Sequence, residues 1–390
     1  MAKAEGKAAV VPFSPHIHSG ASTTRIMWDV VIALMPAGIV GVWLFGKGAL
    51  VTIGISVGTA LVTELLANLL LKRVPTVLDG SAVITGLLFA YNLPPAAPWY
   101  VTAAGAFFSV AVVKWAFGGL GSNFMNPALG GRIFVMAAWP AVMINHWSLP
   151  VDSFAAQHPA VVANVSMKIS MVTNRDEIVA PVTNYLTNFA TNFLTRAEAA
   201  AKTVSVDALT SATPLTTLKF HGWDGVQGLG FDQLLPRFLG NVPGCIGETS
   251  AAALLLGAVY LVARRAIKVH ISLVFIATAA LLSWVFGGLP FHSGLFTGHP
   301  LYHVLSGGLL LGAFFMATDP VTSPITFAGG IVFGALMGVL TVVIRLWGGS
   351  PEGVSYAIVL ANIFVPFIDR LTRGRIYGCK LPRPKAEAAK

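Results

Sequence analysis

The chain has 390 residues, of which 55% are hydrophobic and only 11% charged, with 25 Lys and Arg against 16 Asp and Glu. A soluble domain carries about 25% charged residues, so this composition excludes a water-soluble globular protein and belongs in a bilayer. The formal net charge of +9 does not mark a nucleic-acid binder, because the basic residues cluster where membrane topology would put them.

A polar arm with Lys3, Lys7 and Arg25 precedes the first apolar run, and no small-residue cleavage site follows that run. A cleavable signal peptide is therefore not expected. Crossing a hydrocarbon core of about 30 Å takes roughly 20 residues of helix. Apolar runs of that order lie at 26–46, 49–71, 99–117, 127–147, 248–264, 269–288 and 326–347, with weaker ones at 79–93, 301–318 and 354–371. They predict an all-α polytopic membrane protein of about ten transmembrane helices, interrupted by one hydrophilic insert. The predicted organisation is an arm (1–25), a first five-helix repeat (26–147), an insert (148–247), a second five-helix repeat (248–371) and a basic tail (372–390).

Orientation follows from the basic residues, which favour the cytoplasmic side. With the N-terminus inside, Lys72, Arg73, Arg132, Arg264, Arg265 and Lys268 fall inside, as does the tail with Arg370, Arg373, Arg375, Lys380, Arg383, Lys385 and Lys390. The short outer loops then carry only Lys47 and Arg345. Both termini are expected inside and the insert outside. Cys245 and Cys379 would then lie a bilayer apart, too far for a disulfide, which needs Cα atoms within about 7 Å.

The two halves resemble each other. Gly86-Leu-Leu-Phe-Ala-Tyr-Asn-Leu-Pro94 matches Gly312-Ala-Phe-Phe-Met-Ala-Thr-Asp-Pro320, and Gly118-Gly119 and Gly348-Gly349 each precede the last run of their half. An odd number of passes per half makes the second copy enter from the opposite side, an inverted repeat of the kind found in transporters. The third run of each half is irregular: 79–93 would make only about 22 Å of helix, and its partner contains Ser306-Gly307-Gly308. Broken segments at matching positions point to a site near the midplane, where 79–93 and 301–318 are predicted to meet, with Ala82 opposite Gly308.

A charge at the bilayer centre costs about 2.5–3.5 kcal/mol on insertion scales, so charged and amide groups inside these runs need a partner or a purpose. Asp29, Arg345 and Asp369 lie near ends and can snorkel or cap. Glu64, Asp79, Lys114, Asn123, Asn126 and Asp319 are the candidates for an ion or flavin path. Glu64 and Lys114 could pair with each other or line such a path. The stretch from Gly118 to Pro127, with both amides, reads as a tight turn before a Pro-initiated helix or as a cavity lining. Asp79 and Asp319 are predicted at equivalent, opposite positions, or as helix caps. The scattered histidines match no zinc spacing, so no metal site is predicted, and no phosphate-binding glycine loop is present.

Within the insert, Asp207-Ala-Leu-Thr-Ser-Ala-Thr213-Pro214 stands out. Pro214 disfavours the helical conformation at Thr213, so the threonine should sit in an extended or turn backbone, with its hydroxyl exposed. This octamer, with Phe117–Ala128, Leu311–Thr322 and the stretch Gly348–Val354 through Leu360–Asp369, resembles the D-subunit family of the Rnf complex, a bacterial ion-translocating ferredoxin:NAD oxidoreductase. It is similar, more distantly, to the B-subunit family of the sodium-pumping NADH:quinone reductase.

The resemblance makes Asp207, Thr210, Ser211 and Ala212 the recognition part of a flavinylation motif, with Thr213 as the acceptor joined to FMN by a phosphoester. It implies a separate flavin transferase on the periplasmic side, other Rnf-type subunits as partners, and residence in the bacterial inner membrane among lipid. The chain would be an electron-transfer subunit coupling electron flow between ferredoxin and NAD to Na+ or H+ transport. The quinone-reductase relative suggests a second, non-covalent riboflavin among the helices. Ser211 departs from the glycine often found at its position, and 165–203 is longer than the family pattern. The competing readings are a quinone-reductase subunit, an inverted-repeat transporter or channel, and a membrane scaffold.

Overall fold

The computed structural model describes residues 22–73, 76–145, 213–223, 231–240 and 242–373. Asp207, Thr210, Ser211, Ala212, the 165–203 segment, the N-terminal arm and Cys379 lie outside the described residues. Among the described residues the fold is all-helical, without strands.

α1 (Thr23–Phe45) begins where the Ser22 hydroxyl accepts from the Arg25 N–H, and ends at Gly46, whose φ of 65° turns the chain directly into α2 (Lys47–Leu70). The short α3 (Ser81–Tyr91) packs into the groove between them. It comes close because residue 86 is a glycine: a Cβ there would meet the Val57 Cα at 2.8 Å. The Ser56 hydroxyl donates to the Gly86 carbonyl at 2.6 Å, and the Tyr91 hydroxyl to the Leu34 carbonyl at 2.9 Å. α4 (Trp99–Trp115) widens into a π-helix over Ser109–Trp115. α5 (Pro127–Ala138) starts on the Asn126 side chain, and α6 (Pro140–Asn145) follows a break at Trp139.

Two helices, α7 (Pro214–His221) and α8 (Phe231–Leu239), precede the second half. α9 (Ala251–Ala263) lies along α1, and α10 (Val269–Phe286) packs on α13 (Phe327–Trp347), which in turn packs on α14 (Val354–Leu371). Between α10 and α13 the chain is broken as its glycines predict. α11 (Pro300–Leu305) ends at Ser306, Gly307 takes φ 72°, and α12 (Leu309–Leu311) continues as a π-helix over Gly312–Met316.

Among the described residues, five helices are long and apolar enough to cross a membrane: α1, α2, α10, α13 and α14. Three runs predicted to be full-length hold shorter helices. At 99–117 the last turns are π-helical; at 127–147 Pro140 interrupts; at 248–264 the first residues form a buried loop. The surface is rich in Leu, Ile, Val, Phe and Trp, with Ile39, Trp43, Leu69, Leu70 and Phe367 all exposed. Such a face is a liability in water and normal against lipid chains.

Candidate functional site

Two polar sites lie inside the bundle, near opposite ends of α3. Ser81 marks one end and Asn92, just past the helix, the other, about 16 Å apart at 1.5 Å per residue.

At the Ser81 end, Lys114 and Glu64 form a buried ion pair of 2.8 Å. The π turn of α4 lets successive residues reach one carboxylate: Lys114 Nζ and Trp115 Nε1 both donate to Glu64 Oε2 at 2.8 Å. Thr76 donates to Glu64 Oε1 at 2.7 Å, and Lys114 also donates to Ser81 Oγ at 2.8 Å. Beside this network lies a cavity of about 80 Å³ lined by Lys114, Asn123, Asn126 and Asp319, with Leu88 and Phe315 among its apolar walls. Four of the six path candidates thus meet at one cavity, Glu64 stands behind Lys114, and Asp79 is within electrostatic reach of that lysine. The Gly118–Pro127 stretch is therefore both a turn and a lining: Asn126 caps α5 at Ala128 while its amide donates to the Met316 carbonyl at 3.4 Å.

Asp79 and Asp319 are not on opposite sides. Both lie at the Lys114 end, where Asp319 holds its own turn through Val321 N–H and the Thr322 hydroxyl. Segments 79–93 and 301–318 do meet, but in another register. Leu88 and Phe315 share the cavity wall, and Asn92 Nδ2 approaches Met316 Sδ at 3.8 Å. Gly308 faces Glu248 and Arg132 at the Asn92 end, whereas Ala82 lies in the first turn of α3 at the Ser81 end.

At the Asn92 end sits Thr213. Its backbone is extended (φ −66°, ψ 156°), as Pro214 requires, but its hydroxyl is not exposed. Pro214 opens α7 instead of ending a helix, since a proline at the first helical position loses no hydrogen bond. Thr213 becomes the N-cap, its Oγ1 accepting from the Thr216 N–H at 3.3 Å and lying 2.8 Å from Thr216 Oγ1. α7 is anchored by Leu215 and Leu218 packed with Tyr302, Trp223 and Phe291, and by the Tyr302 hydroxyl donating to the Pro214 carbonyl at 2.6 Å. Lys219 donates to the Gly348 and Ser350 carbonyls, and partial desolvation pulls its pKa down. This docking leaves Thr213 only 5% exposed.

Thr213 lines a small cavity with Glu248, Thr249, Ser306, Gly307 and Glu352. Behind it Arg132, assigned to an inner loop by its charge, is instead buried on α5. It pairs with Glu352, donates to Asn92 Oδ1 at 2.5 Å, and approaches Cys245 Sγ at 3.9 Å. Arg345 does not snorkel either. It is 5% exposed and donates to the carbonyls of His303, Ser306 and Glu352, tying the broken segment to the start of α14. Cys245 and Glu248 sit three residues apart in one stretch, but Glu352, whose carboxylate lies with theirs within 4.8 Å, comes from a distant part of the chain, so no local motif announces the group.

A helical membrane bundle that buries paired charges at both ends of one short helix belongs to the class of polytopic proteins that handle charge within their span. Similarity to known proteins narrows that class. The family model described as NQR2, RnfD, RnfE family matches residues 10–378, and the chain belongs to that family. The D subunit of the proton-translocating ferredoxin:NAD(+) oxidoreductase complex of Clostridium ljungdahlii is 38% identical over 388 residues, covering 97% of this chain and 100% of the relative. The D subunit of the Na(+)-translocating ferredoxin:NAD(+) oxidoreductase complex of Acetobacterium woodii is 38% identical over 378 residues, 97% of this chain and 98% of the relative. The D subunit of an ion-translocating oxidoreductase complex of Citrobacter koseri is 36% identical, covering 94% and 97%.

Proposed function

We propose that this chain is the electron-transfer subunit of a multi-subunit, ion-translocating ferredoxin:NAD oxidoreductase, carrying FMN joined by a phosphoester to Thr213. Family membership and the near full-length similarity to D-subunit proteins support the membrane oxidoreductase assignment. The flavin reading is carried by one observation: the acceptor-type motif ends at Thr213, whose Oγ1 borders a cavity at the start of α7.

The residues present fit a phosphoester. A phosphate on Thr213 Oγ1 would lie at the positive end of a helix, near the first-turn N–H groups. It would displace the N-cap hydrogen bond from Thr216. The cavity of about 10 Å³ is too small for a flavin ring. Bound FMN would supply one- and two-electron chemistry; the chain's part is to hold and orient it. The Lys114 cavity, with apolar walls and polar rim, suits a second, non-covalent flavin or an ion, and α3 would then separate two redox or ion sites. Relatives named for protons and for Na+ are equally similar, so the coupling ion is Na+ or H+.

The chain is read as a bacterial inner-membrane protein with both termini cytoplasmic and the 148–247 insert periplasmic. With Arg132 and Arg345 removed from the count as buried residues, Lys72, Arg73, Arg265 and Lys268 still favour that orientation. The test is expression with a flavin transferase followed by in-gel flavin fluorescence under denaturing conditions. Wild type is expected to fluoresce and Thr213→Val to be dark but inserted. A dark wild type would favour the inverted-repeat transporter or channel; a fluorescent Thr213→Val would move the linkage elsewhere.

A further inference from the structure

We infer, on the basis of the Thr213 linkage proposed above, that α7 is a latch: while it is seated Thr213 cannot be modified, and a flavin transferase acts only on the chain with α7 released.

The chemistry sets what the hydroxyl needs. Joining FMN to a threonine through phosphorus takes a donor whose phosphate carries a leaving group, such as the dinucleotide FAD. Thr213 Oγ1 attacks the flavin-side phosphorus, the pyrophosphate P–O bond breaks, AMP leaves, and the hydroxyl proton is lost to solvent. The attacking oxygen must therefore reach a dinucleotide held in the active site of another protein. In the seated form it cannot. Thr213 is 5% exposed, and its Oγ1 accepts from the Thr216 N–H and lies 2.8 Å from Thr216 Oγ1. The space beside it is about 10 Å³, room for a single water-sized particle and too small for a phosphate group.

The seat is made for release. α7 spans eight residues and lies on the bundle along one face, with Leu215 and Leu218 packed against Tyr302, Trp223 and Phe291. The break in the second half makes room for it: a Cβ at Gly307 would stand 2.6 Å from Leu215 Cδ1. Polar ties to other segments complete the seat. The Tyr302 hydroxyl donates to the Pro214 carbonyl, Lys219 to the carbonyls of Gly348 and Ser350, and Trp223 Nε1 to the Gly287 carbonyl at 3.2 Å. The outward side carries Phe220, 76% exposed. On leaving, α7 keeps its own helical hydrogen bonds and gives up one apolar face and ties that water replaces. Tyr302 holds the residue next to the acceptor, so its hydroxyl is the tie whose loss bears most directly on Thr213.

The test uses the purified full-length chain in detergent, made without transferase, then incubated with transferase and FAD and sampled over time by in-gel flavin fluorescence under denaturing conditions. The rate should follow the released fraction. Tyr302→Phe removes only the hydroxyl that holds Pro214 and should gain flavin about fivefold faster than wild type, the effect of one hydrogen bond. Gly86→Ala strains the bundle at α2, away from α7, and should leave the rate unchanged. For the converse, Lys219→Cys/Ser350→Cys on a Cys379→Ser background is bridged with a reducible bifunctional methanethiosulfonate. The bridged chain should stay dark and gain flavin after reduction, which separates locking from misfolding. Equal rates in wild type and Tyr302→Phe, equal acceleration in Gly86→Ala, or full labelling of the bridged chain would each overturn the latch and leave the Thr213 linkage standing. No flavin in any form, seated or released, would remove the linkage and the latch with it.

Discussion

The two ends of α3 solve the same problem differently. At the Lys114 end both Glu64 oxygens are bonded, one to Thr76 and the other to Lys114 and Trp115. At the Thr213 end Arg132 holds Glu352, yet oxygens of Glu352, Glu248, Ser306 and Thr249 stay unpaired. A closed network of this kind fixes geometry, because each group is satisfied only in one arrangement. An open one keeps capacity for something else. The contrast separates a charge pair whose groups satisfy one another from a charge cluster with polar oxygens left over.

The largest effect should come from opening the closed network. Lys114→Met leaves the Glu64 carboxylate buried beside two neutral donors, and breaking a buried pair typically costs about 3–5 kcal/mol. The double variant Glu64→Leu/Lys114→Met should recover most of that loss, because burying neither charge removes the penalty. The fraction of folded protein surviving graded heating in detergent measures both. A double variant no more stable than Lys114→Met would mean that Glu64 and Lys114 serve something other than each other.

Next in size is the close approach that brings α3 between the ends of the first hairpin. Gly86→Ala places a methyl against the Val57 backbone, which cannot rotate away as a side chain would. Overpacking of this kind costs about 1–3 kcal/mol. The Ser56–Gly86 hydrogen bond should lengthen with it, and thermal stability should fall by less than for Lys114→Met. An unchanged Gly86→Ala would show that α3 does not sit against α2 in the membrane.

How legible these features are in the sequence depends on how local each one is. Helices written in long apolar runs, such as α1 and α13, are readable because insertion depends on a contiguous stretch. The Glu64–Lys114 pair is readable as one of two alternatives, because a charge in an apolar helix demands a partner and few are on offer. The break at Ser306 is readable from its glycines. What escapes depends on tertiary docking. Thr213 is buried because Leu215, Leu218 and Tyr302 seat α7, and nothing in the octamer states that. Arg132 follows the rule for loop arginines by composition and breaks it by pairing with a residue 220 positions away. Asp79 and Asp319 share an end because Asp79 precedes α3 whereas Asp319 follows the Gly312–Met316 segment, and the two segments run antiparallel.

The smallest effect belongs to the third ion pair, which calibrates the other two. Asp29 on α1 accepts from the Tyr260 hydroxyl at 3.0 Å and from Arg264 Nε and Nη2 at 3.3 and 3.2 Å on the α9 side. The geometry is a two-pronged fork, though its contacts are longer than the 2.8 Å of the Glu64–Lys114 pair. Exposure differs more: the Arg264 side chain is 37% accessible, against 2% for Lys114. Water and salt therefore screen it, and exposed pairs are worth about 0–1 kcal/mol. Asp29→Asn keeps an acceptor for Tyr260 and should lower thermal stability only slightly, by an amount that shrinks further as NaCl is raised. The loss in Lys114→Met should be far less sensitive to salt, since that pair is buried and bulk ions screen it little. Equal salt sensitivity in both variants would mean that water enters the Lys114 cavity to the depth of Glu64, making that end as open as the one beside Thr213.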